Sequence, residues 1–354
     1  MELDDSEVYR RLDRGGMGAL IEGLPAQCRS AWEQGLAFPL PDRYRKPRRV
    51  VLAGMGGSAI GGELASALQA SEGSPPLVVH RDYGLPPSVD HETLVIISSY
   101  SGETEEALSA FDEASSIGAM TLAMTTGGKL AGLCRDRDVP VFPVPRIGPP
   151  RTALGYGLFP LLAFLQRLGL ARDRSGDVAE TVAEMDRLTT NLRPTVGADK
   201  NEAKKLAQRI GERAVVVIGA QHLTAVALRW KNQIAENAKA WAFRETLPEA
   251  HHNAIEAMGD RGHGRDRFFV VLLRSAGYSP PTRRRFDLTA EALKRSAILH
   301  HEVSSAGSSA LAQMMTAVLM GDYVSYYMAI GSGIDPTPLP TIEWMKMRMA
   351  QATG

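Results

Sequence analysis

Cysteine is nearly absent from this chain. Its 354 residues include only Cys28 and Cys134, too few and too far apart for a disulfide framework or a cysteine-based metal site. Net charge is absent as well. Forty basic residues balance 40 acidic ones, so no global field draws in nucleic acid or a membrane. The basic clusters at 43–49 and 283–285 are local and read as solvated faces. No apolar run approaches the roughly 18 residues of a membrane span. The acidic start MELDDSEVYR lacks the apolar core of a signal peptide, and with so little cysteine the expected location is the cytoplasm. The histidines, at 80, 91, 222, 251, 252, 263, 300 and 301, lack metal-ligand spacing backed by cysteine or carboxylate, so no metal is expected.

Apolar residues are plentiful at 44%. That fraction and the chain length suit two domains of roughly 150 residues. Residues 1–45 read as helices broken at Gly15–Gly16 and Pro39–Pro41, packing on the first domain or on a partner subunit. Across 46–170, strands (RRVVLAG, PPLVVHRDY, ETLVIISS, MTLAMTT, VPVFPVP) alternate with helices, and GLFPLLAFLQRLGL closes the run. Alternation with near-continuous apolar strands predicts a parallel sheet covered on both faces. Residues 171–200 are polar and read as a helical linker. A second round of alternation fills 201–354, with LTAVALRWKNQIAENAKAWAF as one long helix and a C-terminal tail, DPTPLPTIEWMKMRM.

Two turns stand out. In VVLAGMGGSAIGG (50–62), a buried strand feeds a Gly-rich turn and then a helix. Such a turn offers unpaired N–H groups and a positive helix end to an anion. Gly54, Gly56 and Ala59 also fit the dinucleotide fingerprint G-x-G-x-x-A. That reading wants an acid at the tip of the next strand, which instead ends His80-Arg81-Asp82. In SSYSGETEE (98–106), Ser99, Ser101 and Thr104 set three hydroxyls, with Tyr100 among them, at the opening of a helix. The plain alternative is an N-cap, but one helix does not need three hydroxyls. Hydroxyls and free N–H groups together suit a phosphate.

GMGGSAIGGE, SYSGET, ENAKAW and LPEAHHN, in this order, resemble the sugar isomerase (SIS) superfamily. More closely they resemble the bifunctional phosphoglucose/phosphomannose isomerases of archaea and bacteria, from about residue 15 to the C-terminus. The resemblance implies an α/β fold of two SIS-type domains, each a flavodoxin-like parallel sheet sandwiched by helices. It implies a cofactor-free aldose–ketose isomerase acting on glucose 6-phosphate or mannose 6-phosphate and fructose 6-phosphate. It also implies a homodimer.

The chemistry needs a base that carries a proton between C1 and C2, commonly a carboxylate. By resemblance the base is Glu236; the local alternative is a solvent-facing glutamate paired with Lys239. Opening the sugar ring needs an acid–base, and histidine suits neutral pH. His252 matches that residue, which related sites take from the neighbouring subunit, while His251 stands where asparagine is usual. Arg151 matches a cation that stabilises the enediolate, and Lys346 a lysine held over the substrate. Gly56, Gly57 and Ser58 would form the sugar wall, and Ser99, Tyr100, Ser101 and Thr104 the phosphate turn. Glu103 departs from the usual asparagine and would weaken phosphate binding if it pointed inward. A hydroxyl that helps process mannose would be Thr337 or Thr341. A regulatory sugar-phosphate-binding protein would keep the hydroxyl turn and need no Glu236, His252 or Arg151; no basic recognition helix supports that alternative.

Overall fold

The computed structural model describes residues 3–44, 47–73, 76–259 and 262–352 of the chain. Three helices come first: α1 (Ser6–Leu12), α2 (Met17–Glu22) and α3 (Leu24–Ala37). The chain breaks at Gly15–Gly16 and before Pro39–Pro41 as expected, and also at Gly23 between α2 and α3, which was not expected. The first sheet and its helices follow as β1 (Arg49–Gly54), α4 (Gly56–Ser71), β2 (Leu77–His80), β3 (Thr93–Ser98), α5 (Glu105–Ile117), β4 (Met120–Thr125), α6 (Gly128–Asp136), β5 (Val141–Pro143) and α7 (Leu154–Arg167). All pairings are parallel, in the order β2-β1-β3-β4-β5. This is the flavodoxin-like order. Every residue of β3 is buried, as a strand covered on both faces requires.

Beyond α8 (Ser175–Leu192) the pattern repeats as α9 (Glu202–Ile210), β6 (Ala214–Ala220), α10 (Thr224–Gln233), β7 (Ala242–Leu247), β8 (Phe268–Arg274), α11 (Pro280–Arg295), β9 (His300–Ser304), α12 (Ala310–Gly331) and α13 (Pro340–Ala352). The second sheet is also parallel, ordered β7-β6-β8-β9. It therefore repeats the first without a fifth strand among the described residues.

The N-terminal helices tie the two halves together. α3 packs along α7. Tyr9 stacks on Tyr326 of α12 with ring centroids 6.0 Å apart, and the Tyr326 hydroxyl donates to Asp13 at 3.0 Å. Fully buried Lys204 donates to Asp4 at 3.0 Å and to the Pro194 carbonyl at 2.9 Å. α12 is buried on every side from Leu311 to Ile330, the mark of a central helix.

One sequence expectation fails. The stretch read as a single long helix ends as α-helix at Gln233, passes through one π turn (Ile234–Ala238) and stops at Lys239, whose φ is +54°. Ala242–Leu247 is then a strand, paired with β6 from Val215↔Ala242 to Ala220↔Leu247. Left-handed backbone at Lys239 ends the helix as a C′ glycine normally does, and the aromatic Trp241 and Phe243 favour extended chain beyond it. Helix propensity in AENAKA hid this switch.

Candidate active site

In a doubly wound sheet the ligand crevice lies at the carboxyl ends of the strands where the chain reverses direction. In the first sheet that point is between β1 and β3, where Gly54 pairs with Ser98. The two turns singled out in the sequence sit there and lock together. Ser98 Oγ donates to the Ser58 carbonyl at 2.8 Å, and Tyr100 N donates to Ser58 Oγ at 3.0 Å. Ser58 thus fixes the Gly-rich turn to the hydroxyl turn. Gly56 adopts φ +48°, the left-handed region that a glycine occupies without strain.

Within the hydroxyl turn, Ser99 Oγ donates to Thr104 Oγ1 at 3.2 Å and accepts from Gly102 N at 3.2 Å. Ser101 Oγ accepts from Glu103 N at 3.2 Å. Thr104 is the N-cap of α5 by backbone geometry, yet its side chain makes no capping bond. Capping therefore does not account for these hydroxyls. Tyr100 is a strut: its hydroxyl donates to the Gly148 carbonyl at 2.9 Å and accepts from Ile147 N at 3.1 Å. Glu103 does not point into the turn, because its carboxylate accepts from Lys129 N at 2.8 Å. An acid at the start of α6 complements the helix dipole there.

Arg151 links this crevice to the second half of the chain. A Cβ added to Gly57 would lie 2.9 Å from Arg151 N, so the Gly-rich turn rests on the Pro150–Arg151 peptide and has room only for glycine. The Arg151 side chain is 1% exposed. Its Nε donates to Asn237 Oδ1 at 2.8 Å, its Nη2 to the Pro336 and Thr337 carbonyls at 2.8 and 3.0 Å, and its Nη1 faces Glu236 Oε2 at 3.5 Å. Burial lowers its pKa and the Glu236 carboxylate opposes that shift; a guanidinium stays charged regardless. The remaining partners form a closed buried ring. Asn237 Nδ2 donates to Ser325 Oγ at 3.0 Å, Ser325 Oγ to the Asp322 carbonyl at 2.8 Å, and Arg229 spans Asp322 at 3.1 and 2.9 Å and the Arg151 carbonyl at 2.9 Å. The sequence reading missed Arg229, Asp322 and Ser325. A lone aspartate inside the apolar run of α12 was the available signal, since a buried charge needs a partner.

Glu236 occupies the π turn with its side chain 25% exposed. The expected pairing with Lys239 takes another form. Lys239 Nζ donates to the Glu236 backbone carbonyl at 2.8 Å, not to its carboxylate, which is left facing Arg151. The Lys239 side chain is exposed overall, yet its ammonium folds back against carbonyls. Desolvation, and next the Arg151 charge, push its pKa down to about 8.

Two expected site residues stand apart. His252 is exposed at the end of the short turn Glu249–His252, and no hydrogen bond joins its ring to the described residues. Its neighbour His251 is held by α11, through Thr289 Oγ1 at 2.8 Å and Arg285 at 3.1 Å, and burial lowers its pKa. Lys346 lies on α13, where every residue from 340 to 349 is exposed. The same region separates the two threonines. Thr337 belongs to the turn gripped by Arg151, with its side chain against Gly15, whereas Thr341 lies on exposed α13.

The equivalent crevice of the second sheet, between β6 and β8, is plugged. The Tyr278 hydroxyl donates to the Leu273 carbonyl at 3.0 Å and accepts from Ala220 N at 3.2 Å. His222 and Gln313 fill the rest, each within 3.1 Å of Ser275 Oγ. α11 opens with Pro280 and Pro281, which carry no N–H for an anion. The open crevice is therefore the first one.

Fold and crevice together define the class: a two-sheet α/β protein of the SIS type. A solved hypothetical protein from Thermus thermophilus aligns over 98% of this chain and 94% of its own, with TM-score 0.75 at 16% identity. A glucose-6-phosphate isomerase-like protein from the same organism covers 96% and 98%, with TM-score 0.63 at 19% identity. At the sequence level, residues 199–349 match the bacterial phospho-glucose isomerase C-terminal SIS domain. A bifunctional phosphoglucose/phosphomannose isomerase of Caldicellulosiruptor bescii is 36% identical over 94% of this chain and 98% of its own length. One from Aquifex aeolicus is 36% identical over 84% and 89%. The chain belongs to the bifunctional phosphoglucose/phosphomannose isomerase family.

Proposed function

We propose that this protein is an aldose–ketose isomerase that interconverts glucose 6-phosphate, and mannose 6-phosphate, with fructose 6-phosphate without a metal or cofactor. The observation that carries the reading is the Glu236 carboxylate set 3.5 Å from buried Arg151, on a peptide that rests against the Gly-rich turn. Backbone N–H groups and the hydroxyls of Ser99, Ser101 and Thr104 hold the phosphate. Gly56, Gly57 and Ser58 let the sugar approach the backbone. Glu236 takes the C2 proton of the open-chain aldose while the C1 carbonyl oxygen gains a proton, giving a cis-enediol. The proton is returned to C1 as the C2 hydroxyl loses its own, giving the ketose. Arg151 stabilises the negative oxygen that develops on the way.

Ring opening falls to His252, whose exposed position fits a site completed by a second subunit in a homodimer. Lys346 reaches the substrate once α13 covers the crevice. Thr337, in the turn held by Arg151, is the hydroxyl assigned to mannose processing. Glu103, committed to α6, does not oppose the phosphate.

The expected result is conversion of fructose 6-phosphate to both aldose phosphates in the presence of EDTA, followed by assays coupled to a dehydrogenase. Loss of all turnover with EDTA overturns the metal-free mechanism, and binding without turnover returns the protein to the regulatory class. A companion prediction concerns Gly102, where φ is +73° and an added Cβ would meet the Gly127 carbonyl at 1.9 Å. Gly102→Ala is expected to distort the hydroxyl turn, raise KM about tenfold and cost about 1–3 kcal/mol of stability. Steady-state kinetics and thermal melting check both effects.

A further inference from the structure

The proposed proton transfer makes no use of Lys239, yet this side chain meets as many acceptors as Arg151 does. Its Nζ lies 2.8 Å from the Glu236 carbonyl, 3.3 Å from that of Asn237, 3.2 Å from that of Asp335 and 3.1 Å from that of Pro336. The first two acceptors belong to the π turn that carries Glu236, and the other two to the turn that precedes α13. The Pro336 carbonyl is shared, since it also accepts from Arg151 Nη2 at 2.8 Å. One ammonium therefore joins the backbone of the carboxylate's turn to the turn that orients the guanidinium.

The backbone argues that the side chain is there for this purpose. Lys239 sits at φ +54°, a conformation that glycine adopts freely and that strains a residue with a Cβ. As a helix terminator alone, glycine would serve better. The strain persists because the left-handed turn aims Nζ back under the carbonyls of its own helix end.

We propose that Lys239 is a positioning residue for the isomerisation: it clamps the Glu236 turn to the Asp335–Pro336 turn and so sets the Glu236 carboxylate against the Arg151 guanidinium. This rests on the reading of Glu236 as the base. Without the clamp, Arg151 still reaches the Pro336 and Thr337 carbonyls, but that turn is no longer tied to the backbone of Glu236. The same loosening frees the start of α13 and with it Lys346.

The test compares Lys239→Gly, Lys239→Met and Lys239→Arg with the parent protein, using fructose 6-phosphate as substrate. Lys239→Gly relieves the backbone strain, so its melting temperature is expected to equal or exceed that of the parent. Its kcat is expected to fall about ten- to a hundredfold, the scale of a small misplacement of reacting groups, with KM nearly unchanged. Lys239→Met is expected to lose kcat likewise, and Lys239→Arg to recover part of it by keeping a cation under the carbonyls. Unchanged kcat in the Gly and Met variants overturns the clamp. So does a rise in KM that accounts for the loss, which would make Lys239 a substrate-binding group. So does a fall in melting temperature that parallels the activity in all three variants, which would make its role purely structural. Glu236→Gln measured alongside separates the two readings: an inactive Glu236→Gln with a fully active Lys239→Gly defeats the clamp alone, whereas an active Glu236→Gln defeats the base and the clamp with it.

Discussion

Glu236→Gln is expected to bind fructose 6-phosphate as the parent protein does and to turn it over about a thousandfold more slowly, within the range that a positioned acid–base group contributes. The amide keeps the shape of the carboxylate and can still accept a hydrogen bond from Arg151, so the crevice should retain its form. What it loses is the ability to take a proton from carbon and return it. Little stability should be lost. The carboxylate is 25% exposed and lies 3.5 Å from Arg151 Nη1, a separation at which a partly solvated pair contributes no more than about 1 kcal/mol. The affected quantity is therefore kcat, with KM and melting temperature nearly constant. Measuring all three on one preparation decides the matter: unchanged kcat removes Glu236 as the base, and a lost melting transition would make the substitution structural.

The sequence makes the first sheet and its crevice readable because their signals are local. A buried strand, a Gly-rich turn and a helix are adjacent in the chain at 50–62, and Ser99, Ser101 and Thr104 lie within one turn. The contacts that join these two turns, Ser58 to Ser98 and Tyr100, connect strands that the parallel order makes neighbours. The closing of the site around Arg151 is different in kind. Its partners are Asn237, 86 residues away, and the carbonyls of Pro336 and Thr337, 185 and 186 residues away. No periodicity or spacing encodes such contacts. Asp322 was visible as the one charge in the apolar run of α12, but its pairing with Arg229 was not. The break after Gln233 was hidden for a thermodynamic reason: Ala, Glu and Lys favour helix, and tertiary pairing of β7 with β6 overrides that propensity.

The consequence is that Glu236 owes its position to a helix that stops. Had α10 continued as an α-helix through Trp241, Lys239 would have projected outward on the helix surface and the Glu236 carbonyl would have stayed in the helix ladder. The π turn and the left-handed residue after it expose the carbonyls of Glu236 and Asn237 to Lys239. They also place Asn237, fully buried, between Arg151 and Ser325. A local departure from regular helix thus brings the carboxylate, the amide and the ammonium to one arginine. π turns inside helices are frequently found at functional sites.

Arg151→Lys should therefore be far from conservative. The guanidinium meets four partners in fixed directions: Asn237 Oδ1, the Pro336 and Thr337 carbonyls, and the Glu236 carboxylate. An ammonium on a flexible four-carbon stem is a point charge with three donors and no planar fork. It cannot satisfy the buried acceptors and still present charge beside Glu236. Loss of a preorganised charge at a developing oxyanion costs about a hundred- to a thousandfold in rate, so kcat/KM for fructose 6-phosphate is expected to fall by that amount in Arg151→Lys and at least as far in Arg151→Ala. Stability separates the two variants. Arg151→Ala leaves the Asn237 Oδ1 and Thr337 carbonyl acceptors without their donor, at about 1–3 kcal/mol for each, while the Pro336 carbonyl keeps its bond from Lys239. Arg151→Lys keeps at least one of those bonds and should lose less. Denaturant titration of both variants beside their kinetics reads the two effects independently. A lysine variant with parental kcat/KM would show that Arg151 holds the backbone of the site together without stabilising the charge that forms in it.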